Sequence, residues 1–257
     1  MLEIDRLSKR FGGVRAVDGC SFSVETATIT GLIGPNGAGK TTLFNLLTGT
    51  LRPDAGHVRL EGRDITRCPP HRVFRSGIGR TFQIPREFRN MTVVENLMTA
   101  FPNQLGERIW NPFLRSRAVS RQDGAARDKA LEVLEFLELV PVAHEQAGNL
   151  SGGQKKLLEL ARTMMSEPRL LLLDEPAAGV NRTLLHRLAD SIRRLCAECG
   201  VTILLVEHDM DFVMRLCHPV VVMSEGRVLA EGSPFDIQRD PRVLDAYLGG
   251  QYVALDR

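Results

Sequence analysis

The segment Thr28-Ile29-Thr30-Gly31-Leu32-Ile33-Gly34-Pro35-Asn36-Gly37-Ala38-Gly39-Lys40-Thr41-Thr42 reads as a short β-branched strand, a glycine turn and the start of a helix. From Gly34 to Thr41 it fits G-x-x-x-x-G-K-[ST], and Lys40 to Thr48 continues as a helix-forming run. Glycines let consecutive backbone N–H groups curl around an anion without interference from Cβ, and the helix N-terminus adds partial positive charge. Lys40 is expected to bridge the β- and γ-phosphates of a nucleotide, and the Thr41 hydroxyl to ligate Mg²⁺. The candidate phosphate-binding residues are therefore Gly34, Pro35, Asn36, Gly37, Ala38, Gly39, Lys40, Thr41 and Thr42. A unit of this kind predicts an α/β fold with its ligand at the carboxyl ends of the strands.

A second signal is Leu170-Leu171-Leu172-Leu173-Asp174-Glu175-Pro176. An unbroken apolar run suits a strand buried on both faces of a mainly parallel sheet, and Pro176 stops it. Asp174 is placed to hold Mg²⁺ and Glu175 to polarise an attacking water. An exposed acidic turn is the plainer reading, but motif pairs in a fixed order are far more specific than single motifs. Between the two lies Leu150-Ser151-Gly152-Gly153-Gln154, ahead of a helical pattern with Leu157, Leu158, Ala161 and Met164/Met165 on one side. Ser151 can cap that helix, and the two glycines leave N–H groups open toward an anion.

These motifs, in this order and over nearly the whole chain, resemble those of an ATP-binding-cassette (ABC) nucleotide-binding subunit. The resemblance implies a P-loop NTPase core with a mixed sheet, an antiparallel β layer and an inserted helical subdomain. It implies one nucleotide-binding domain over residues 1–257, with the insertion at 85–167. It also implies ATP and Mg²⁺ as cofactors, and two cassettes packed head to tail. In that arrangement Ser151, Gly152, Gly153 and Gln154 of one copy cover the γ-phosphate held by the P-loop of the other. Three further positions follow from the family pattern. Gln83, in Thr81-Phe82-Gln83, matches the glutamine loop that reads Mg²⁺ and the water. His208, in Val206-Glu207-His208-Asp209, matches the histidine at the γ-phosphate. Phe11 matches the aromatic that stacks on adenine, although a core phenylalanine is its plainer reading. The implied catalytic set is Glu175, His208 and Gln83, and the implied metal set is Thr41, Gln83 and Asp174. Where the family often has an aspartate that contacts the opposite subunit, this chain has Asn181, in Ala178-Gly179-Val180-Asn181, which keeps the hydrogen bonding and loses the charge.

Within the family, Gly79-Arg80-Thr81-Phe82-Gln83 and Phe88-Arg89-Asn90-Met91-Thr92-Val93-Val94-Glu95-Asn96-Leu97 resemble the ATPase subunits of branched-chain amino acid importers. So do Pro176-Ala177-Ala178-Gly179 and Ala246-Tyr247-Leu248-Gly249. Related systems carry urea or other amides. Lipopolysaccharide-export ATPases share the Pro-x-Ala-Gly and Tyr-Leu-Gly elements, and stay as an alternative. A soluble regulatory or nucleic-acid-linked ABC ATPase and a cassette that has lost catalysis are further rivals. The importer resemblance implies integral membrane permease subunits, a second ATPase (the same chain or a sister cassette) and a substrate-binding protein. It places the chain on the cytoplasmic face of the membrane, with Arg86, Phe88 and Arg89 facing the permease.

Composition fits this reading. The 257 residues carry 33 Lys and Arg against 31 Asp and Glu, a net +2 that gives no reason to invoke nucleic acid. Cys196 and Cys199 lie on an apparent amphipathic helix, and no second C-x-x-C accompanies them, so zinc is not expected. No apolar run approaches the roughly 18 residues that read as a membrane span, and the N-terminus has no signal pattern. Asp128 to Val140 reads as an amphipathic helix, Phe101 to Gln122 as loop or short irregular helix, and Gly249-Gly250 as the end of the last helix.

Overall fold

A computed structural model describes residues 1–81, 87–105 and 116–252. They form two compact units. One comprises Met1–Arg80, Arg169–Ala177 and Ile192–Arg257; the other comprises Thr81–Pro168 and Ala178–Ser191.

The first unit holds two sheets. Strands β1 (Leu2–Phe11), β2 (Val14–Val24), β4 (Ala55–Leu60) and β5 (Arg63–Asp64) form an antiparallel layer in the order β2-β1-β4-β5. Gly12-Gly13 joins β1 to β2 with Phe11 opposite Val14, the two-residue hairpin that a Gly-Gly pair favours. The larger sheet has the order β10-β9-β3-β8-β7-β6. Its strands are β3 (Ile29–Ile33), β6 (Ile78–Arg80), β7 (Leu170–Asp174), β8 (Thr202–Val206), β9 (Val220–Ser224) and β10 (Arg227–Gly232). Every neighbour pair is parallel except β9 and β10. The exception comes from the turn Glu225-Gly226, where both residues have positive φ and the chain folds straight back. Strands β3, β7 and β8 are buried along their whole length, as their continuous apolar runs require. The core joins Leu32, Leu172, Leu204 and Val221 of this sheet to Leu2, Leu7 and Val58 of the other and to Leu43, Phe44 and Leu47 of helix α1 (Lys40–Leu47). Thus Ile29–Ile33, though continuous in sequence with the antiparallel runs, belongs to the parallel sheet.

The remaining helices, in chain order, are α2 (Pro70–Arg75), α3 (Val93–Met98), α4 (Ser116–Phe136), α5 (Gly152–Met164), α6 (Arg182–Cys199), α7 (Met210–Leu216), α8 (Pro234–Arg239) and α9 (Pro241–Tyr252). The second unit is built on α3, α4, α5 and the start of α6. Helix α3 opens with a capping box, Thr92 with Glu95. Buried Asn96 then fixes the preceding loop: its Oδ1 accepts the Phe88 N–H at 2.8 Å, and its amide donates to the Thr92 carbonyl at 2.9 Å.

Three expectations are corrected here. Residues 116–122 are helical, being the first two turns of α4. That half of the helix is polar, and its buried positions are the small Ala126 and Ala130, so it carries no apolar stripe to read. The helix also stops before Val140, at Phe136, and the chain turns at Glu138, a non-glycine residue with φ 57°; the Leu139 N–H bonds back to the Leu134 carbonyl at 2.8 Å. In α9 the helix runs through Gly249-Gly250 to Tyr252, because glycine lowers helix propensity by about 1 kcal/mol without by itself breaking the chain.

Candidate functional site

The glycine loop leaves the carboxyl end of β3 and enters α1 at Gly39, whose φ is 101°. Two of its glycines answer to packing as much as to a ligand. A Cβ on Gly34 would lie 2.1 Å from the Met223 carbonyl oxygen, and one on Gly39 would lie 2.2 Å from that of Ala16. A Cβ on Gly37 would meet nothing within 4 Å. The β9–β10 turn also clasps the loop, since the Gly226 N–H donates to the Ala38 carbonyl at 3.0 Å. The Lys40 ammonium donates to the Gly34 and Pro35 carbonyls at 2.7 and 3.0 Å. Burial pushes it down from the usual lysine range, against the pull of the Glu175 and Asp174 carboxylates. Asn36, Gly37 and Thr41 are exposed. The loop thus presents a cation and open backbone to solvent beside the two acids of β7.

Asp174 ends β7 opposite Val206, and the Glu175 N–H continues the ladder by donating to the Val206 carbonyl at 2.9 Å. Glu175 has φ 48°, a left-handed conformation that costs a non-glycine residue about 1–3 kcal/mol and persists only where the surroundings over-determine it. Its side chain is partly exposed, and His208 Nδ1 lies 3.9 Å from its Oε2. His208 leaves the carboxyl end of β8 and is largely exposed. Asp209 then caps α7, accepting the Phe212 N–H at 3.1 Å. Glu207, next to His208, is fully buried. Burial pushes its carboxyl up, and backbone N–H groups of Ala177, His208 and Asp209 pull against that.

Arg80 joins this cluster from β6. Its guanidinium donates to Asp174 at 2.8 Å and to the Asn45 side chain of α1 at 2.7 Å, over the Phe44 ring. With the side chains of Arg80 and Asp174 only 14% and 8% exposed, removing Arg80 takes the guanidinium partner from a largely buried carboxylate. Arg80→Ala is therefore expected to destabilise the chain by about 3–5 kcal/mol, read as a lower urea midpoint; a change below about 1 kcal/mol would show that the pair behaves as a surface ion pair.

In the second unit, Ser151 opens α5 with a capping box: Ser151 Oγ accepts the Gln154 N–H at 3.3 Å and Gln154 Oε1 accepts the Ser151 N–H at 2.9 Å. Ser151 and Gly152 are exposed, whereas a Cβ on Gly153 would strike the Leu184 side chain at 1.7 Å. Asn181 caps α6, its Oδ1 accepting the Leu184 N–H at 3.0 Å. An asparagine does this as well as an aspartate. Phe88 is 48% exposed, with the Arg162 guanidinium 5.2 Å from its ring centroid. Phe11, in the first unit, is 47% exposed and so lies outside the core. Gln83 and Arg86 lie outside the described residues.

Among the described residues no three His, Cys, Asp or Glu side chains form a metal cluster. The hydroxyl of Thr41 and the carboxylate of Asp174 are hard oxygen donors, too few to enclose an ion. That suits Mg²⁺, which keeps water and phosphate ligands and takes one or two carboxylates.

Three residues of this neighbourhood have no role in the sequence reading. Arg80 and Glu207 lie inside quoted motifs, and their spacing carries no signal for buried pairing. Tyr247 lies on α9, where its buried hydroxyl faces the Gly34 amide and burial pushes the phenol up. Only the tertiary fold brings it there.

Comparison with known proteins adds to this geometry. Residues 17–178 match the family model described as ABC transporter, and residues 227–253 match the one described as branched-chain amino acid ATP-binding cassette transporter. The chain is 45% identical over 251 residues to the probable branched-chain amino acid transport ATP-binding protein LivG of Archaeoglobus fulgidus, covering 98% of this chain and 96% of that protein. It is 44% identical to the high-affinity branched-chain amino acid transport ATP-binding protein BraF of Pseudomonas aeruginosa, covering 97% and 98%. Among solved structures, the ADP conformation of an ATP-binding cassette of an ABC transporter superposes with TM-score 0.83 at 38% identity, over 97% of this chain and 98% of that one. A nucleotide-free cassette gives TM-score 0.82 at 37% identity, over 96% and 98%.

Proposed function

We propose that this chain, which belongs to the ABC transporter family, is the ATP-hydrolysing subunit of an importer of branched-chain amino acids or a related amino acid or amide. The observation that carries the activity is the gathering of Lys40, Asp174, Glu175 and His208 at the carboxyl ends of β3, β7 and β8. The cargo class rests on the relatives' names and on the match of residues 227–253. That C-terminal match favours this reading over lipopolysaccharide export.

In the proposed mechanism, the backbone of the Gly34–Thr42 loop, exposed at Asn36, Gly37 and Thr41, cradles the phosphates of ATP, and Phe11, exposed at the end of β1, takes the adenine. Lys40 exchanges its two loop carbonyls for the β- and γ-phosphates, whose charge compensates the burial that pushes its ammonium below the usual lysine range. Thr41, Asp174 and Gln83 would hold Mg²⁺, which supplies charge neutralisation across the β- and γ-oxygens. Glu175 orients or deprotonates the attacking water, and His208 contacts the γ-phosphate. The exposed Ser151–Gln154 turn of a second cassette closes the site and excludes water. Moving such a pair from mostly open to mostly closed takes roughly 5.5 kcal/mol of differential binding. Residues 85–167 serve as the inserted helical subdomain, with Phe88 and Arg89 facing the permease.

The chain acts at the cytoplasmic face of the membrane through those permease subunits; none of the helices among the described residues is long and apolar enough to cross a bilayer. Co-purification of the tagged chain from native membranes tests this. Two integral membrane subunits, with a second ATPase and a substrate-binding protein for an amino acid or amide, are the expected companions. Recovery with no membrane partner, or ATPase activity stimulated only by nucleic acid, would overturn the transport reading.

A further inference from the structure

Glu207 is the one carboxylate of the nucleotide end of the larger sheet, among the described residues, that is fully buried. It sits one residue beyond β8. Its Oε1 accepts the Ala177 N–H at 2.6 Å, and its Oε2 accepts the His208 N–H at 3.0 Å. His208 Nδ1 lies 3.6 Å from Oε2. Burying a carboxylate is unfavourable unless hydrogen bonds compensate it, and here the compensation comes from main chain. The two segments it joins are telling. Ala177 is two residues past Glu175, and His208 is the next residue in the chain. Glu175 holds a left-handed backbone that needs support from its surroundings, and on one side the Val206 carbonyl, last of β8, supplies it. Glu207 supplies the other side by fixing the turn that leaves Glu175.

Resting on the ATPase reading above, we infer that Glu207 is a positioning residue: its buried carboxylate clamps the turn after Glu175 to the backbone of His208, so that the water-activating carboxylate and the γ-phosphate-contacting imidazole keep one geometry. It touches neither substrate nor metal. A carboxylate suits the role because it only accepts, and the Ala177 and His208 N–H groups each take one of its oxygens. Glutamine has the same shape but one acceptor oxygen, and its NH₂ would face a backbone donor.

The test is Glu207→Gln in the full chain, with steady-state phosphate release and nucleotide affinity measured separately. Nothing in the glycine loop bonds to Glu207. The expected result is therefore a split: kcat lower by about 10–100-fold, in line with the loss from misplacing a reacting group by about 1 Å, with the Kd for a fluorescent ATP analogue unchanged. Wild-type kcat in the variant, or a loss of affinity matching the loss of rate, would overturn the clamp. If Glu207→Gln does not fold by circular dichroism, Glu207→Asp takes its place. It keeps the charge and withdraws from Ala177 by one methylene, and the same split is expected. Absence of ATP hydrolysis by the wild-type chain with its membrane partners would instead sink the ATPase reading itself.

Discussion

Glu175→Gln is expected to lower ATP turnover by about 10²–10⁴ while ATP still binds. The substitution keeps volume and hydrogen-bonding reach and removes only basicity. Glu175 follows the strand that ends in Asp174, has a partly exposed side chain and faces His208 Nδ1 at 3.9 Å. Its carboxylate, with that of Asp174, pulls the Lys40 ammonium back up against burial. Its backbone is held in the left-handed region by the ladder to Val206. Phosphate release and binding of a fluorescent ATP analogue, measured on the same preparation, separate the two effects. Undiminished turnover would remove Glu175 from its role; a parallel loss of binding would make it part of the nucleotide cradle instead.

Gly34→Ala is expected to abolish nucleotide binding at concentrations where Gly37→Ala still binds. Both are glycines of the same loop with positive φ, 148° and 83°. They differ in what surrounds them. At Gly37 the added methyl projects into open space, so only the left-handed backbone is penalised, by about 1–2 kcal/mol. At Gly34 the methyl would sit 2.1 Å from the Met223 carbonyl oxygen, which is fixed in β9 and has no rotamer to escape into. Overpacking of this kind adds about 1–3 kcal/mol or more to a comparable backbone strain. The sum, roughly 2–6 kcal/mol, corresponds to a loss of at least about thirtyfold in affinity. Isothermal titration with ATP would show it. Equal losses in the two variants would mean that the phosphate, not the β9 carbonyl, sets the requirement at Gly34.

Much of the site was legible because short-range chemistry wrote it into contiguous residues. The glycine loop, the acid pair after Leu170–Leu173 and the serine-glycine turn are local patterns, each tied to a strand end or a helix start. The strands β3 and β7 were legible for the same reason: burial on both faces demands unbroken apolar runs. The polar half of α4 was not legible, since its face buries alanines and Gly124 interrupts it. Nor was the turn at Glu138 that follows its end, where a non-glycine residue takes the conformation usually left to glycine.

Local chemistry was enough to read the class of fold, the order of the motifs and the residues proposed to meet phosphate and metal, because periodicity and side-chain chemistry act within a few positions. Long-range packing sets why those residues stand where they do. The Met223 and Ala16 carbonyls forbid a side chain at Gly34 and Gly39. Arg80 reaches 94 residues along the chain to neutralise Asp174, and Glu207 reaches back 30 to the turn after Glu175. Such pairings depend on which strand lies beside which, and strand order follows from the burial of the whole sheet rather than from any one segment.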